Sequence, residues 1–194
     1  LQQLDGKTNF AQYFAAMKAG ENFKQPELAE TLKRIAAKGP DDFYKGKTAE
    51  LLVAEMQRGK GLITMDDLAA YRAGWRDALV TPWRDGQLIS APPPSSGGIA
   101  LAQLLGLKQR RSSDFTDVAH NSSQYVHLIA ELEKRVYADR AEYLGDPGFV
   151  TVPQQQLLAP AYLDQRAKEI NPLAISATKA IKPGLEGYHT THFS

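Results

Sequence analysis

The chain has 194 residues, 43% of them hydrophobic and 23% charged, which suits one globular domain or one large piece of a bigger protein. Lys and Arg number 23 against 22 Asp and Glu, so no broad field exists to hold nucleic acid or an anionic membrane surface. There is no cysteine and only four scattered histidines, which excludes a disulfide framework and a thiolate zinc site and argues against any metal centre. The longest apolar stretch, GGIALAQLLGL at 97–107, is broken by Gln103 and is far short of a membrane span. No basic segment followed by an apolar core marks a signal peptide. The first residue is Leu1 and the last stretch is strand-like, so the sequence reads as a piece cut from something longer.

In chain order, residues 1–25 are weakly patterned, with one short helix expected around Ala11–Lys18. PELAETLKRIAAKGP follows, with Pro26 at a first helical position, Leu28, Leu32 and Ile35 at helical spacing, and a Gly39-Pro40 stop. A short helical turn, Gly46, and an amphipathic helix over about Lys47–Gln57 come next. Thr64 precedes Asp66 and Asp67, an N-cap with acids in the first turn, and opens a short helix ending near Tyr71. Two stretches around Ala78–Pro82 and Gln87–Ala91, joined by Trp83-Arg84-Asp85-Gly86, predict a β-hairpin, since Asp-Gly favours a tight turn. Pro92–Pro94 then force an extended approach, and SSGG leads into a helix over IALAQLLGL. After a polar loop at 109–121, Ser122 or Ser123 caps the longest helix, whose apolar face is Tyr125, Leu128, Ile129, Leu132, Val136 and Tyr143. Gly145-Asp146-Pro147 ends it. A last helix runs from Pro160 to about Ile170, and 171–189 read as a linker or exposed arm.

Four places could carry chemistry. PPPSSGG at 92–98 could hold an anion on backbone N–H groups at a helix start, although a tight loop using glycine for its backbone angles and serine for its cap is the commoner use. In YADRAEYLGDP, Asp139 and Glu142 stand at i,i+3 and could form a paired-acid site with Arg140 and Asp146 nearby, but caps and ion pairs are the usual role of such residues. His127 lies on the long helix, where a lone histidine is more often packed or solvated than catalytic. The fourth is HTTHFS at the end. A threonine becomes an effective nucleophile when its own α-amino group, with a pKa near 7.7–8.0, serves as its base, and that requires cleavage of the bond before it. By pattern alone, a plain edge strand with Thr190, His192 and Ser194 alternating is much the commoner reading there.

Read together, GPDDFYKG (39–46), GLITMDDLAAY (61–71), APPPSSGGI (91–99), YADRAEYLGDP (137–147) and TTHFS (190–194), in this order and separation, resemble the γ-glutamyltranspeptidase family, or glutathione hydrolases. The match covers most of the chain from about residue 26 and is weak over the first twenty-five residues and the arm at 171–189. The family consists of N-terminal nucleophile hydrolases made as proenzymes that cleave themselves into a large and a small subunit.

The resemblance implies an α+β chain, part of an αββα sandwich, in which this piece supplies mainly helices and the hairpin near 78–91. It implies that residues 1–189 are the C-terminal part of the large subunit and 190–194 the start of the small one. Thr190 would be the nucleophile and His189–Thr190 the self-cleavage bond, with Thr191 and His192 in supporting roles. Ser95 and Ser96 are not expected to form the oxyanion hole, which the family builds from a serine pair beyond the nucleophile. The implied reaction transfers the γ-glutamyl group of glutathione to water or to an amino acid or peptide acceptor, without cofactor or metal. Substrate-binding residues are expected outside this stretch, so the chain alone is expected to be inert and the His189–Thr190 bond intact. The implied partner is the small subunit of the same precursor, and the implied location is periplasmic or extracellular. A related acylase of the cephalosporin acylase type and a non-catalytic helical interaction domain are the rival readings. The tail from about 172 is expected to be irregular or to pair with a neighbouring molecule, because an unpaired strand is a docking edge.

Overall fold

Gly74 marks a division that composition alone does not reveal: the chain forms two compact units, Leu1–Gly74 and Trp75–Ser194. The structure, a computed structural model, describes residues 9–185. Within them it is mainly helical, with one two-stranded antiparallel sheet.

In the first unit, helix α1 covers Phe10–Phe14, shorter than the predicted Ala11–Lys18. The chain turns at Gly20, whose φ of +81° lies in the left-handed region that favours glycine, and Phe23 returns to Phe14 at 5.7 Å. Helix α2, Pro26–Lys38, starts on Pro26 as predicted and stops at Gly39, φ +70°. Helices α3, Pro40–Tyr44, and α4, Lys47–Arg58, follow, with a close contact between them. Asp42 of α3 is buried and accepts a 2.5 Å hydrogen bond from the Thr48 hydroxyl of α4. Gly46 is packed so tightly over this corner that a Cβ there would lie 2.8 Å from the Asp42 Cα. This accounts physically for the spacing of Asp42 and Gly46 in GPDDFYKG. Helix α5, Met65–Ala70, opens with the predicted cap in its full reciprocal form: the Asp67 amide donates to Thr64 Oγ1 at 3.2 Å and the Thr64 amide donates to Asp67 Oδ2 at 2.8 Å. Ala49, Val53 and Leu68 form the small core between α4 and α5.

In the second unit, strands β1, Leu79–Trp83, and β2, Gly86–Ser90, pair with Thr81 opposite Leu88 and Trp83 opposite Gly86. The hairpin is the predicted one, shifted by a residue. Its two-residue turn is Arg84-Asp85, with Arg84 at φ +52°, and Gly86 already pairs in the ladder. Helix α6, Gly97–Arg110, runs past the predicted end, and a 3-10 turn at Ser112–Phe115 occupies part of the predicted loop. Lys108 and Arg110 in its last turn complement the helix dipole, and the Lys108 ammonium lies 5.0 Å from both the Phe115 and Tyr125 rings. Helix α7, Ser123–Tyr143, is capped by Ser122, which accepts from the Tyr125 amide at 3.2 Å. Helix α8, Gln154–Leu157, was not legible in the sequence, and α9 covers Pro160–Lys168.

The core of this unit has two parts. Leu107 of α6, Leu132 and Val136 of α7, and Leu163 and Ala167 of α9 pack with Ile170. Leu79, Ile99, Tyr143, Leu157 and Tyr162 join the hairpin to the helices. Four of the six residues assigned to the apolar face of α7 are fully buried: Leu128, Leu132, Val136 and Tyr143.

Candidate functional site

Thr190, Thr191, His192 and the His189–Thr190 bond lie outside the described residues. The structure does describe the ground that leads to them, and it is polar where the sequence pattern predicted only helix. Glu131, Arg135 and Asp139 stand at four-residue intervals on α7, which keeps them on one side of the helix, and all three are buried. A buried charge is tolerated only when it is paired and hydrogen-bonded, and this row is.

Glu131, with none of its surface exposed, accepts from Arg135 Nη1 at 2.5 Å, from Lys134 Nζ at 2.6 Å and from the Ser176 amide at 3.0 Å. Burial works against its charge, but the hydrogen bonds from Lys134, Ser176 and Arg135 outweigh it and hold the carboxyl at about 2, below the ordinary 4.5. Arg135 also reaches the Glu169 carbonyl at 2.9 Å and the Ser176 hydroxyl at 3.0 Å. The segment after α9 is thereby fastened to α7 at Ser176.

One turn and more further along, Asp139 fastens it again. Its Oδ1 accepts from Arg166 Nη2 and from the Gly184 amide, each at 3.1 Å, and its Oδ2 accepts from the Tyr162 hydroxyl at 2.7 Å and from Gln103 Nε2 at 3.1 Å. Tyr143, four residues on, donates its hydroxyl to the Leu185 carbonyl at 2.9 Å and accepts from the Leu185 amide at 3.1 Å. Burial raises the Tyr143 phenol above its ordinary value, so it stays protonated and able to donate. The stretch predicted to be irregular after 172 is so through Leu185 apart from one 3-10 turn at Thr178–Ala180. The stretch is also largely exposed, as read, with Leu173 and Ile175 among its exposed residues, but it is tied down: two buried carboxylates and a tyrosine bind its backbone.

The sequence candidates resolve as follows. Both oxygens of Asp139 are occupied by Arg166, Gly184, Tyr162 and Gln103, which leaves no paired-acid site with Glu142. Two of the quoted motifs meet in space: Arg140 Nε donates to Ser96 Oγ at 2.8 Å, and Arg76 links the Pro93 carbonyl, at 3.4 Å, to Asp146 Oδ1, at 2.9 Å. The Gly148 amide, with Arg76, holds the Asp146 carboxyl below its usual range. The PPPSSGG stretch is a tight loop, with the Ser95 amide donating to the Pro92 carbonyl at 3.1 Å, but its glycines and serines act differently from the sequence reading. Neither glycine has a positive φ, and Ser96 makes no side-chain cap. Gly98 is required by close approach instead, since a Cβ would lie 2.6 Å from the Ala91 carbonyl oxygen and 2.9 Å from Leu79 Cδ2. His127 is half-buried on α7 and lines a groove together with Val126, Ala130 and Ile175.

Sequence reasoning missed Gln103, Glu131, Arg135, Tyr162, Arg166 and Gly184. Two signals were present: Gln103 interrupts an otherwise apolar helix, and Glu131, Arg135 and Asp139 repeat at the spacing of the apolar face they adjoin. Among the described residues no three His, Asp or Glu side chains are grouped to hold a metal ion, and no helix is long and apolar enough to cross a membrane.

Comparison with known proteins agrees with this organisation. The family model described as gamma-glutamyltranspeptidase matches residues 1–194. A glutathione hydrolase proenzyme of Pseudomonas aeruginosa is 62% identical over 190 residues, covering 98% of this chain and 34% of its own length. An acylase ACY 1 proenzyme of Pseudomonas sp. strain SE83 is 37% identical over 176 residues, 91% of this chain and 31% of that protein. Among solved structures, a gamma-glutamyltranspeptidase from Pseudomonas nitroreducens complexed with L-DON superposes with a TM-score of 0.85 at 59% identity, over 95% of this chain and 55% of that one. The chain thus spans about a third of the length of these curated relatives. With a match over its whole length and this degree of identity, the chain belongs to the gamma-glutamyltranspeptidase family.

Proposed function

We propose that residues 1–189 form the end of the large subunit, and 190–194 the start of the small subunit, of a precursor that matures into a glutathione hydrolase and γ-glutamyltransferase. The observation that carries this reading is the 62% identity to a glutathione hydrolase proenzyme, extending through nearly the whole chain. The Thr190 hydroxyl attacks the His189 carbonyl, and the acyl group passes from the Thr190 nitrogen to its oxygen. Water hydrolyses that ester, leaving the His189 carboxylate and a free Thr190 amine. The amine, with a pKa near 7.7–8.0, then accepts the hydroxyl proton as Thr190 attacks a γ-glutamyl carbonyl. The amine or peptide of the donor leaves with a proton, and water or an acceptor amine releases the γ-glutamyl group. His189 supplies the acyl group of the first step, in which the Thr190 nitrogen is the leaving group, and Thr191 and His192 support the nucleophile.

This activity belongs to a precursor of the relatives' length. The chain by itself is inert in this reading, because the donors to the oxyanion and to the γ-glutamyl carboxylate come from elsewhere, and each missing oxyanion donor costs about 2.7–4 kcal/mol of transition-state stabilisation. The partner is the small subunit, and the hairpin, whose Val80 and Ile89 are exposed, is the piece that joins the αββα sandwich. Likeness to the family supports export to the periplasm or beyond as the location. The test uses the full-length precursor: Thr190→Ala is expected to abolish both subunit formation and hydrolysis of a γ-glutamyl anilide. Retained turnover in that variant sinks the reading, and preferential cleavage of glutaryl amides by the wild type replaces it with the acylase.

A further inference from the structure

We propose that Tyr143, acting with Asp139, is a positioning residue for self-cleavage: it anchors the main chain at Gly184 and Leu185 so that the processing junction is presented from a fixed point. The inference rests on the proposed cleavage between His189 and Thr190. Its own basis is the way the chain is held before that junction.

One side chain satisfies both main-chain groups of one residue. The Tyr143 hydroxyl donates to the Leu185 carbonyl at 2.9 Å and accepts from the Leu185 amide at 3.1 Å, across 42 positions in sequence. Next to it, the Gly184 amide donates to the buried Asp139 carboxylate at 3.1 Å. The fit at Gly184 is tight enough to define the residue, since a Cβ there would lie 2.5 Å from the Tyr162 hydroxyl and 2.6 Å from Arg166 Cδ. Three backbone bonds and an obligatory glycine fix this stretch in place and direction, where a simple tether needs only an apolar side chain in a pocket. The anchor is itself held rigidly. Asp139 also binds Gln103 of α6 and Tyr162 and Arg166 of α9, so Gly184 is tied at one carboxylate to three helices of the second unit.

His189 is four residues beyond Leu185. A chain of four residues reaches at most about 14 Å, so the anchor bounds where the scissile carbonyl can be. Intramolecular attack is fast only from a near-attack geometry, and loosening the frame that sets it lowers the rate without touching the reacting atoms. Once the bond is broken, the anchor has no further part in γ-glutamyl transfer. That separation is what distinguishes a positioning role from a general structural one.

The experiment compares full-length precursors: wild type, Tyr143→Phe, Thr190→Ala, and a variant with two glycines inserted after Glu186, which leaves Tyr143, Asp139, Gly184 and Leu185 unchanged. Subunit formation is followed by gel densitometry and intact mass, and turnover is measured per processed molecule. Tyr143→Phe and the insertion are each expected to slow processing about tenfold or more, while kcat of the fraction that matures stays within about twofold of wild type. Processing at the wild-type rate in either variant overturns the proposal, as does a fall in kcat as large as the fall in processing. If Tyr143→Phe does not fold, the insertion decides the matter alone. Cleavage of Thr190→Ala at the same bond, or a wild-type junction elsewhere by mass, instead overturns the reading of Thr190 and the proposal with it.

Discussion

Replacing Glu131 with glutamine tests the buried polar row most directly. The substitution keeps the side chain's size and removes its charge, so Arg135, 3% exposed, loses the charged partner it contacts at 2.5 Å. Lys134 and the Ser176 amide lose the carboxylate that they share. A carboxyl held at about 2 instead of 4.5 contributes about 3 kcal/mol of stability at neutral pH, at 1.36 kcal/mol per unit. Breaking a buried ion pair from one side costs about 3–5 kcal/mol by comparison with other proteins, so two separate routes give the same size. The sign follows from the depressed value: the contribution is complete above about pH 4.5, the unfolded value, and disappears as pH falls through about 2. Both tryptophans, Trp75 and Trp83, lie in the second unit, so urea unfolding followed by tryptophan fluorescence reports on the unit that contains Glu131. Glu131→Gln is expected to lower its stability by about 3 kcal/mol at pH 7, with the difference from wild type shrinking below pH 4.5. Asp164→Asn, which breaks a more exposed pair with Arg110 in the same unit, should change stability by less than about 1 kcal/mol. A loss under about 1 kcal/mol at pH 7, or one that does not vary with pH, refutes the assignment of that stability to the charge network.

In the first unit, Thr64→Ala removes one half of the reciprocal cap on α5 and is expected to cost about 1 kcal/mol, measured as loss of helical circular dichroism signal on heating. An unchanged melting curve would mean that tertiary packing alone holds the helix start. In the second unit, Gly98→Ala forces a methyl group against the Ala91 carbonyl, and about 1–3 kcal/mol of destabilisation should appear in the fluorescence-monitored urea transition. A neutral result would show that the loop can move away from α6.

Local signals in the sequence carried much of the fold. Pro26 and Gly39 bound α2, Thr64 and Asp67 cap α5, Ser122 caps α7, and the spacing of Leu128, Leu132, Val136 and Tyr143 defines its buried face. Each depends on residues within about a turn of one another, so a single sequence shows it. The motif order was equally legible and pointed to the family. Tertiary structure alone decided what the charges and glycines of these motifs do. Asp139 reads as a partner for Glu142 at i,i+3, yet its bonds go to Gln103, Tyr162, Arg166 and Gly184, at least 23 positions away. Gly98 and Gly184 need no unusual backbone angle; they are glycines because another segment passes where a Cβ would stand. The stretch after α9 reads as a linker or exposed arm for the same reason: it contains proline and glycine and has no periodic pattern of its own, and the groups that bind its backbone belong to helices distant in sequence. Burial turns those distant charges into strong, directional partners, and burial exists only once the helices have packed.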